Sequence, residues 1–553
     1  MNTQPLLWST VDTVSDRKHR GAFFTPPHIA QLLSDWAIRT PLDRVLEPSC
    51  GEASFLLAAA RTIAARTQHH AIHADLVGFD IHPNSVLAAK SALATVTDSA
   101  DIRQADFFDI AAFPEFDVVL GNPPFIRYQS FVGDNRSKGL RASLAAGVNL
   151  TGLASSWAPF LIHATQFLKR GGRLGFVLPA ELLAVKYAEP VRRFLMRRFA
   201  SVKLVVFEKL LFAGALEDVV LLLAEGEGGC DHFDVYPVRD AAGITLATLG
   251  KAESVVAGNG TKWTQALVQQ DAWREYQSVL ATPQIEVFGA WGSAYLGAVT
   301  GNNSYFALSD AEVEAARLDK RDLVPVSPPG SRHLRGLDFS EAAWNSERRA
   351  GKKCWLFYPR QQLSSFSEAY IKKGAAKRVD KAYKCASRTP WYRVPLVPTP
   401  DLLLTYMDAD RPRLTANGAR VRHLNSLYGV TLKQGRKVAG KELLPVATLN
   451  TVTLLGAEIV GRSYGGGLLK LEPREAEQLP VPSFEVVMSI SETLRALRPQ
   501  MASSLRQGKL GAAVAAVDKA MWEDTGLIEE RILAVLRDAR EFLYRRRMNR
   551  GKR

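Results

Sequence analysis

Over the first 230 residues, short runs of apolar residues alternate with stretches whose apolar positions recur three and four apart. RVLE (44–47), DLVGFD (75–80), DIRQAD (101–106), FDVVLGN (116–122), GRLGFVLP (172–179), VKLVVFE (202–208) and DVVLLLAE (218–225) read as strands. Apolar strands separated by helical segments predict an α/β fold with a largely parallel sheet covered on both faces. Two helices are legible in detail. In TPPHIAQLLSDWAI, Ile29, Leu32, Leu33 and Trp36 form one stripe, the prolines suit a first turn, and Thr25 is placed to cap it. In SWAPFLIHATQFLKRGG, Lys169 to Gly172 offer the cations and glycine expected at a helix C-terminus.

The alternation stops at AEGEGGCD (224–231), which predicts a domain over 1–230. Short strands, aromatics and basic clusters follow over 231–485, and a helical segment over 486–553 ends in FLYRRRMNRGKR, a basic tail expected to fray. Charge follows the same division. Residues 1–230 carry 23 Lys and Arg against 22 Asp and Glu, so all but one of the net +14 charges fall beyond residue 230. Such asymmetry suggests a nearly neutral module joined to one that meets a polyanion, because cations that neutralise phosphates gain free energy by counterion release. No apolar run is long enough to span a membrane, no secretory leader is evident, and the four cysteines lie far apart with no CxxC pair. A cytoplasmic protein without a membrane segment, metal site or disulfide framework is the expectation.

Ligands of open α/β sheets bind outside the carboxyl ends of the strands. The first strand leads into EPSCGEASF, not GxGxxG, so the glycine turn that admits a pyrophosphate is missing. In its place stands one acid per strand end: Glu47, Asp80 and Asp106. Carboxylates repel phosphates, yet accept hydrogen bonds from an ammonium, ribose hydroxyls and an adenine amino group, and tolerate a sulfonium nearby. Those groups together describe S-adenosylmethionine. Cys50 reads as a small packing residue at a tight turn, since no base accompanies it.

GAFFTPPHIAQLL, VLEPSCGEASFL, GFDIHP, ADFFD and GNPPF occur in an order that resembles the gamma-class adenine-N6 DNA methyltransferases, including Eco57I-like restriction-modification members. The resemblance implies a class I S-adenosylmethionine-dependent methyltransferase fold, with a seven-stranded, mostly parallel sheet and a C-terminal mixed α+β target-recognition domain. It further implies that Thr25, Glu47 and Pro48 meet the methionine end of the cofactor and Asp80 the ribose. Ile81 would pack on the adenine, Asp106 would meet its amino group with Phe107 beside it, and Phe160 would cover its other face.

Asn122, Pro123, Pro124 and Phe125 carry the reaction expected of such an enzyme. The exocyclic amine of adenine is a poor nucleophile, because its lone pair is delocalised into the ring. Asn122 and the carbonyl of Pro123, held by two fixed φ angles, offer acceptors for both N–H bonds and so aim the lone pair at a methyl donor. Phe125 offers a flat face to a base rotated out of the duplex. By the same resemblance Phe212 completes the aromatic clamp. Beyond residue 230, GAVTGNNSYFAL, RTPWYRVP, DLLLTYMDADRPR, HLNSLYGV and GRSYGGGLLKLEP resemble the target-recognition region. There Lys372, Lys373 and Lys470 read as contacts to the phosphates of double-stranded DNA. Transfer to RNA bases or to a protein glutamine amide is the competing reading, and a non-catalytic DNA-binding relative is another. No nuclease motif stands out, so any cognate restriction endonuclease is expected on a separate chain.

Overall fold

The computed structural model describes residues 25–67, 75–207, 219–242, 244–257, 262–464 and 466–549. Two compact units divide the chain, Met1–Leu267 and Val268–Lys552.

In the first unit α1 (Pro27–Ala37) precedes β1 (Val45–Glu47), α2 (Ser54–Arg66), β2 (Leu76–Asp80), α3 (Pro83–Leu93), β3 (Ala100–Gln104) and β4 (Phe116–Gly121). After these come α4 (Gly133–Ala145), α5 (Trp157–Thr165), β5 (Leu168–Pro179), α6 (Glu189–Arg198), β6 (Ser201–Phe207) and β7 (Val219–Glu225). All seven runs read as strands are strands. They lie in the order β3-β2-β1-β4-β5-β7-β6, with β1 to β5 parallel and β7 antiparallel to both β5 and β6.

Two further strands extend this sheet, β8 (His232–Val238) beside β6 and β9 (Glu253–Val256) at the edge. The first unit therefore runs past the boundary expected at residue 230. The glycines at 226, 228 and 229, all at positive φ, turn the chain back along β6 rather than out of the domain. Strand interiors such as Leu46, Val119, Phe176, Leu204 and Leu222 are buried on both sides, as a doubly covered sheet requires.

Two local expectations change. α1 begins at Pro27 with Pro26 as its N-cap and no side-chain cap, so Thr25 does not cap it but lies buried just outside. Two prolines preset the first turn, which removes the need for a capping hydroxyl. Lys169 to Gly172 do not end a helix either. α5 stops at Thr165, and Leu168 already pairs with Phe116 as the first residue of β5.

The second unit holds a four-stranded antiparallel sheet in the order Gly292–Leu296, Tyr428–Leu432, Leu402–Leu404, Leu414–Ala416, with smaller sheets and helices around it. The segment expected as a separate piece from 486 belongs to this unit. Its last helix, Glu530–Asn549, does not fray over the described residues. Arg547, with a side chain 3% exposed, pairs in two-pronged fashion with Glu458 at 2.7 and 2.9 Å and donates to the carbonyls of Ala409 and Gly467. A buried guanidinium with four acceptors is a docking pin, not a loose cation.

Candidate active site

The direction of chain progression reverses between β1 and β4, the switch point at which open α/β sheets form their binding crevice. Four elements deliver polar groups to that end of the sheet. Glu47 closes β1, Asp80 closes β2, Asp106 follows β3, and Asn122 follows β4.

Glu47 is 2% exposed and accepts the N–H of Leu56, in the first turn of α2, at 3.1 Å. Burial pushes its carboxyl well above the usual range; backbone hydrogen bonds from Leu56 and Phe55 pull it down, and Asp80 nearby raises it again. No side-chain cation pairs with it among the described residues. A buried carboxylate with only backbone donors suits a ligand ammonium. Cys50, in the turn after β1, is buried, and burial pushes its thiol up, which agrees with a packing role. Gly78 makes room there, since a Cβ would stand 2.8 Å from Ile102 and 3.2 Å from the Cys50 sulfur.

Asp80 ties two loops together. One oxygen accepts the N–H of Gly51, whose φ of 51° sets the turn after β1, at 2.9 Å; the other accepts the N–H of His82 at 2.8 Å. Beside it Ile81 is 51% exposed, an apolar surface at the crevice with no protein covering it fully. Pro48 is buried at the start of the β1 turn.

Asp106 holds the short turn Phe107–Asp109 through the N–H of Phe108 at 3.1 Å. Its other oxygen receives Lys138 of α4 at 3.1 Å, and the same ammonium reaches Asp109 at 2.6 Å. An adenine amino group would be a third donor to a carboxylate that has about four lone-pair sites. Phe107 is 4% exposed and its ring packs in the core against Phe160, His163 and Phe167, with centroids 4.8–5.0 Å apart. Phe160 lies in the same cluster, 5.8 Å from the half-buried Phe108. A separate cleft of about 690 Å³, lined by Phe108, Lys138, Arg141 and His163 among others, includes none of Glu47, Asp80 or Asn122. It borders the Asp106 turn, and the crevice chemistry lies elsewhere.

After β4 the Asn122–Phe125 segment is held by hydroxyls. Ser49, in the β1 turn, donates to the carbonyl of Asn122 at 3.3 Å, and Ser156, just before α5, donates to that of Pro124. Prolines 123 and 124 have no N–H, so the segment cannot anchor itself through those amides. Between the two tied carbonyls, that of Pro123 receives no hydrogen bond among the described residues. Asn122 is half-buried and Phe125 is 7% exposed.

The structure thus brings Glu47, Asp80, Asp106 and Asn122 to one end of the sheet, with Phe107 and Phe160 in the core beside it. Phe212 lies outside the described residues. In the second unit Lys372 and Lys373 are exposed on the helix Ser365–Ala376, and no acid pairs with either among the described residues. Lys470 is different. It pairs with Glu472 at 2.9 Å and lies over the Tyr464 ring, so its charge is partly spent. Sequence reasoning missed Ser49, Lys138 and Ser156, whose partners lie 73, 32 and 32 residues away.

Residues 12–231 match the profile of the N-6 DNA Methylase family, and residues 260–522 match that of the C-terminal domain of the type II methyltransferase M.Eco57I. The two profiles follow one another along the chain, a methylase module and then a type II methyltransferase C-terminal module. The type II methyltransferase M.AccI of Acinetobacter calcoaceticus is 23% identical over 84% of this chain and 85% of its own. M.XamI of Xanthomonas campestris pv. amaranthicola is 26% identical over the same shares. The type IIL restriction-modification enzyme MmeI, solved in complex with DNA, shares 13% identity across 97% of this chain and 80% of its own, with a TM-score of 0.59. That likeness is one of fold. The class I S-adenosylmethionine-dependent methyltransferase fold expected from the sequence, with a C-terminal domain attached, is the fold of this chain.

Proposed function

We propose that this protein is an N-6 DNA methylase that transfers the methyl group of S-adenosylmethionine to N6 of an adenine flipped out of double-stranded DNA. It would serve as the modification enzyme of a type II restriction-modification system whose endonuclease is a separate chain. The observation that carries the reading is the acceptor pair at the end of β4. Asn122 presents a side-chain amide beside the Pro123 carbonyl, the one carbonyl of three in a row that the protein leaves undonated among the described residues.

The donor set suits the cofactor. Glu47 is a buried carboxylate placed for an ammonium, Asp80 and Asp106 are acceptors at the next two strand ends, and the exposed Ile81 offers an apolar face for a purine. When bound, S-adenosylmethionine supplies an electrophilic methyl on a sulfonium. The protein's own part is to orient. Asn122 and Pro123 accept the two amine hydrogens and turn the lone pair outward, and Phe125 stacks on the extrahelical base. A neutral acceptor pair suffices, because the amine keeps its protons until the new bond forms. Lys372 and Lys373 hold phosphates of the duplex.

Asn122→Ala tests the reading. It is expected to bind S-adenosylmethionine with unchanged affinity and to lose methyl transfer to DNA by several orders of magnitude. A variant nearly as active as the parent removes Asn122 from the chemistry.

A further inference from the structure

A buried serine outside the strand-end series holds the end of the Asn122–Phe125 segment from both sides of one peptide run. Ser156 is 2% exposed. Its hydroxyl donates to the carbonyl of Pro124 and accepts the N–H of Ile126 at 2.8 Å, while its own N–H donates to the carbonyl of Ile126 at 3.0 Å. One residue thereby fixes both sides of the peptide run that follows the two prolines.

The serine is itself held rigidly. Its carbonyl accepts the N–H of Phe160, which makes it the base of α5, and all nine residues of that helix are buried. Trp157, the next residue, is fully buried, with its indole N–H 3.0 Å from the Tyr187 hydroxyl and 3.3 Å from a Glu181 oxygen. The helix that anchors the segment also carries Phe160 into the ring cluster beside Asp106.

We propose that Ser156 is a positioning residue of the methyl-transfer reaction. By tying Pro124 and Ile126 to the base of α5, it sets where the Pro123 carbonyl points, and so whether both acceptors meet the amine at once. The prolines make this help necessary, since they fix φ but supply no N–H with which the segment could hold itself. The inference rests on the function proposed above, in which Asn122 and the Pro123 carbonyl grip the amine.

The test compares the full-length parent, Ser156→Ala and Asn122→Ala in single-turnover transfer of labelled methyl to duplex DNA. Dissociation constants for S-adenosylmethionine and DNA are measured on the same preparations. A carbonyl displaced by a fraction of an ångström to 1 Å is expected to slow the Ser156→Ala single-turnover rate by on the order of 10²-fold, with both dissociation constants unchanged. A serine that only supports the fold would instead weaken binding and lower the unfolding temperature in step with the rate. Should Ser156→Ala fail to fold, Ser156→Cys, close in size but a weak donor, carries the same expectation. The proposal is overturned if the folded variant transfers methyl at the parent's rate, or loses rate only in proportion to binding. Loss of transfer in Asn122→Ala alongside a fully active Ser156 variant removes only the serine's role. Full activity in both removes the grip of Asn122 and the Pro123 carbonyl on the amine.

Discussion

Replacing Glu47 by glutamine probes how the cofactor end of the crevice is built. The carboxylate is buried, receives backbone N–H groups at the start of α2 and has no protein cation beside it among the described residues. Glutamine keeps the shape and can still accept the Leu56 N–H, so the variant loses chiefly the charge. A hydrogen bond to a charged group contributes about 1.5–3 kcal/mol, which corresponds to S-adenosylmethionine binding weaker by roughly 10- to 150-fold. Proton linkage gives an independent reading. Because burial raises the folded-state pKa, there is a pH window in which the ligand-free protein retains a proton that the unfolded chain has released. Stability contributed by the group is therefore present at low pH and falls as pH rises from the ordinary carboxyl range toward the folded value. An ammonium bound beside Glu47 favours the charged form and expels that proton. Isothermal titration within that window, in buffers of different ionisation enthalpy, should show proton release on binding to the parent and none for Glu47→Gln, whose ligand-free stability should also vary less with pH. Equal affinity and equal proton release in the two proteins would refute the placement of the ammonium.

Arg547→Ala leaves Glu458 buried without its partner, and unfolding by denaturant should show a loss of about 3–5 kcal/mol; a loss below about 1 kcal/mol would mean that the C-terminal helix is not pinned there. Phe125→Ala should weaken the flipped state of the target base by about 1–3 kcal/mol, read from the fluorescence of 2-aminopurine at the target position, whereas Phe125→Tyr should preserve it. Replacing Lys372 and Lys373 together by alanine should weaken DNA binding and reduce the slope of log affinity against log salt by about 2, and an unchanged slope would take both off the phosphates.

The sheet was legible because its strands are short, apolar and separated by helical periodicity, a local signal that needs no knowledge of neighbours. All seven expected strands formed for that reason. Glu47, Asp80, Asp106 and Asn122 were legible by the same logic, since a polar residue at the end of an apolar strand announces itself. What escaped depends on distant pairing. β8 and β9 are short, half-buried strands, and only the docking of β8 beside β6, and of β9 beside β8, makes them part of the first unit. Lys169 to Gly172 imitate a helix terminus locally, but pairing between Phe116 and Leu168 overrides that preference. The tail looked like a solvated run of cations, until Glu458 and two carbonyls bury Arg547 from afar. Ser156 gave no signal at all, because a serine before a helix is ordinary and its partners lie about thirty residues upstream.

On the proposed function, the chemistry turns on the grip of Asn122 and the Pro123 carbonyl on the amino group of an extrahelical adenine. Its most direct test is mass spectrometry of nucleosides from duplex DNA incubated with the purified protein and S-adenosylmethionine. N6-methyladenine as the sole modified nucleoside, lost with Asn122→Ala, is the predicted result. Methylated cytosine, or unmodified DNA beside methylated RNA or protein, would contradict it.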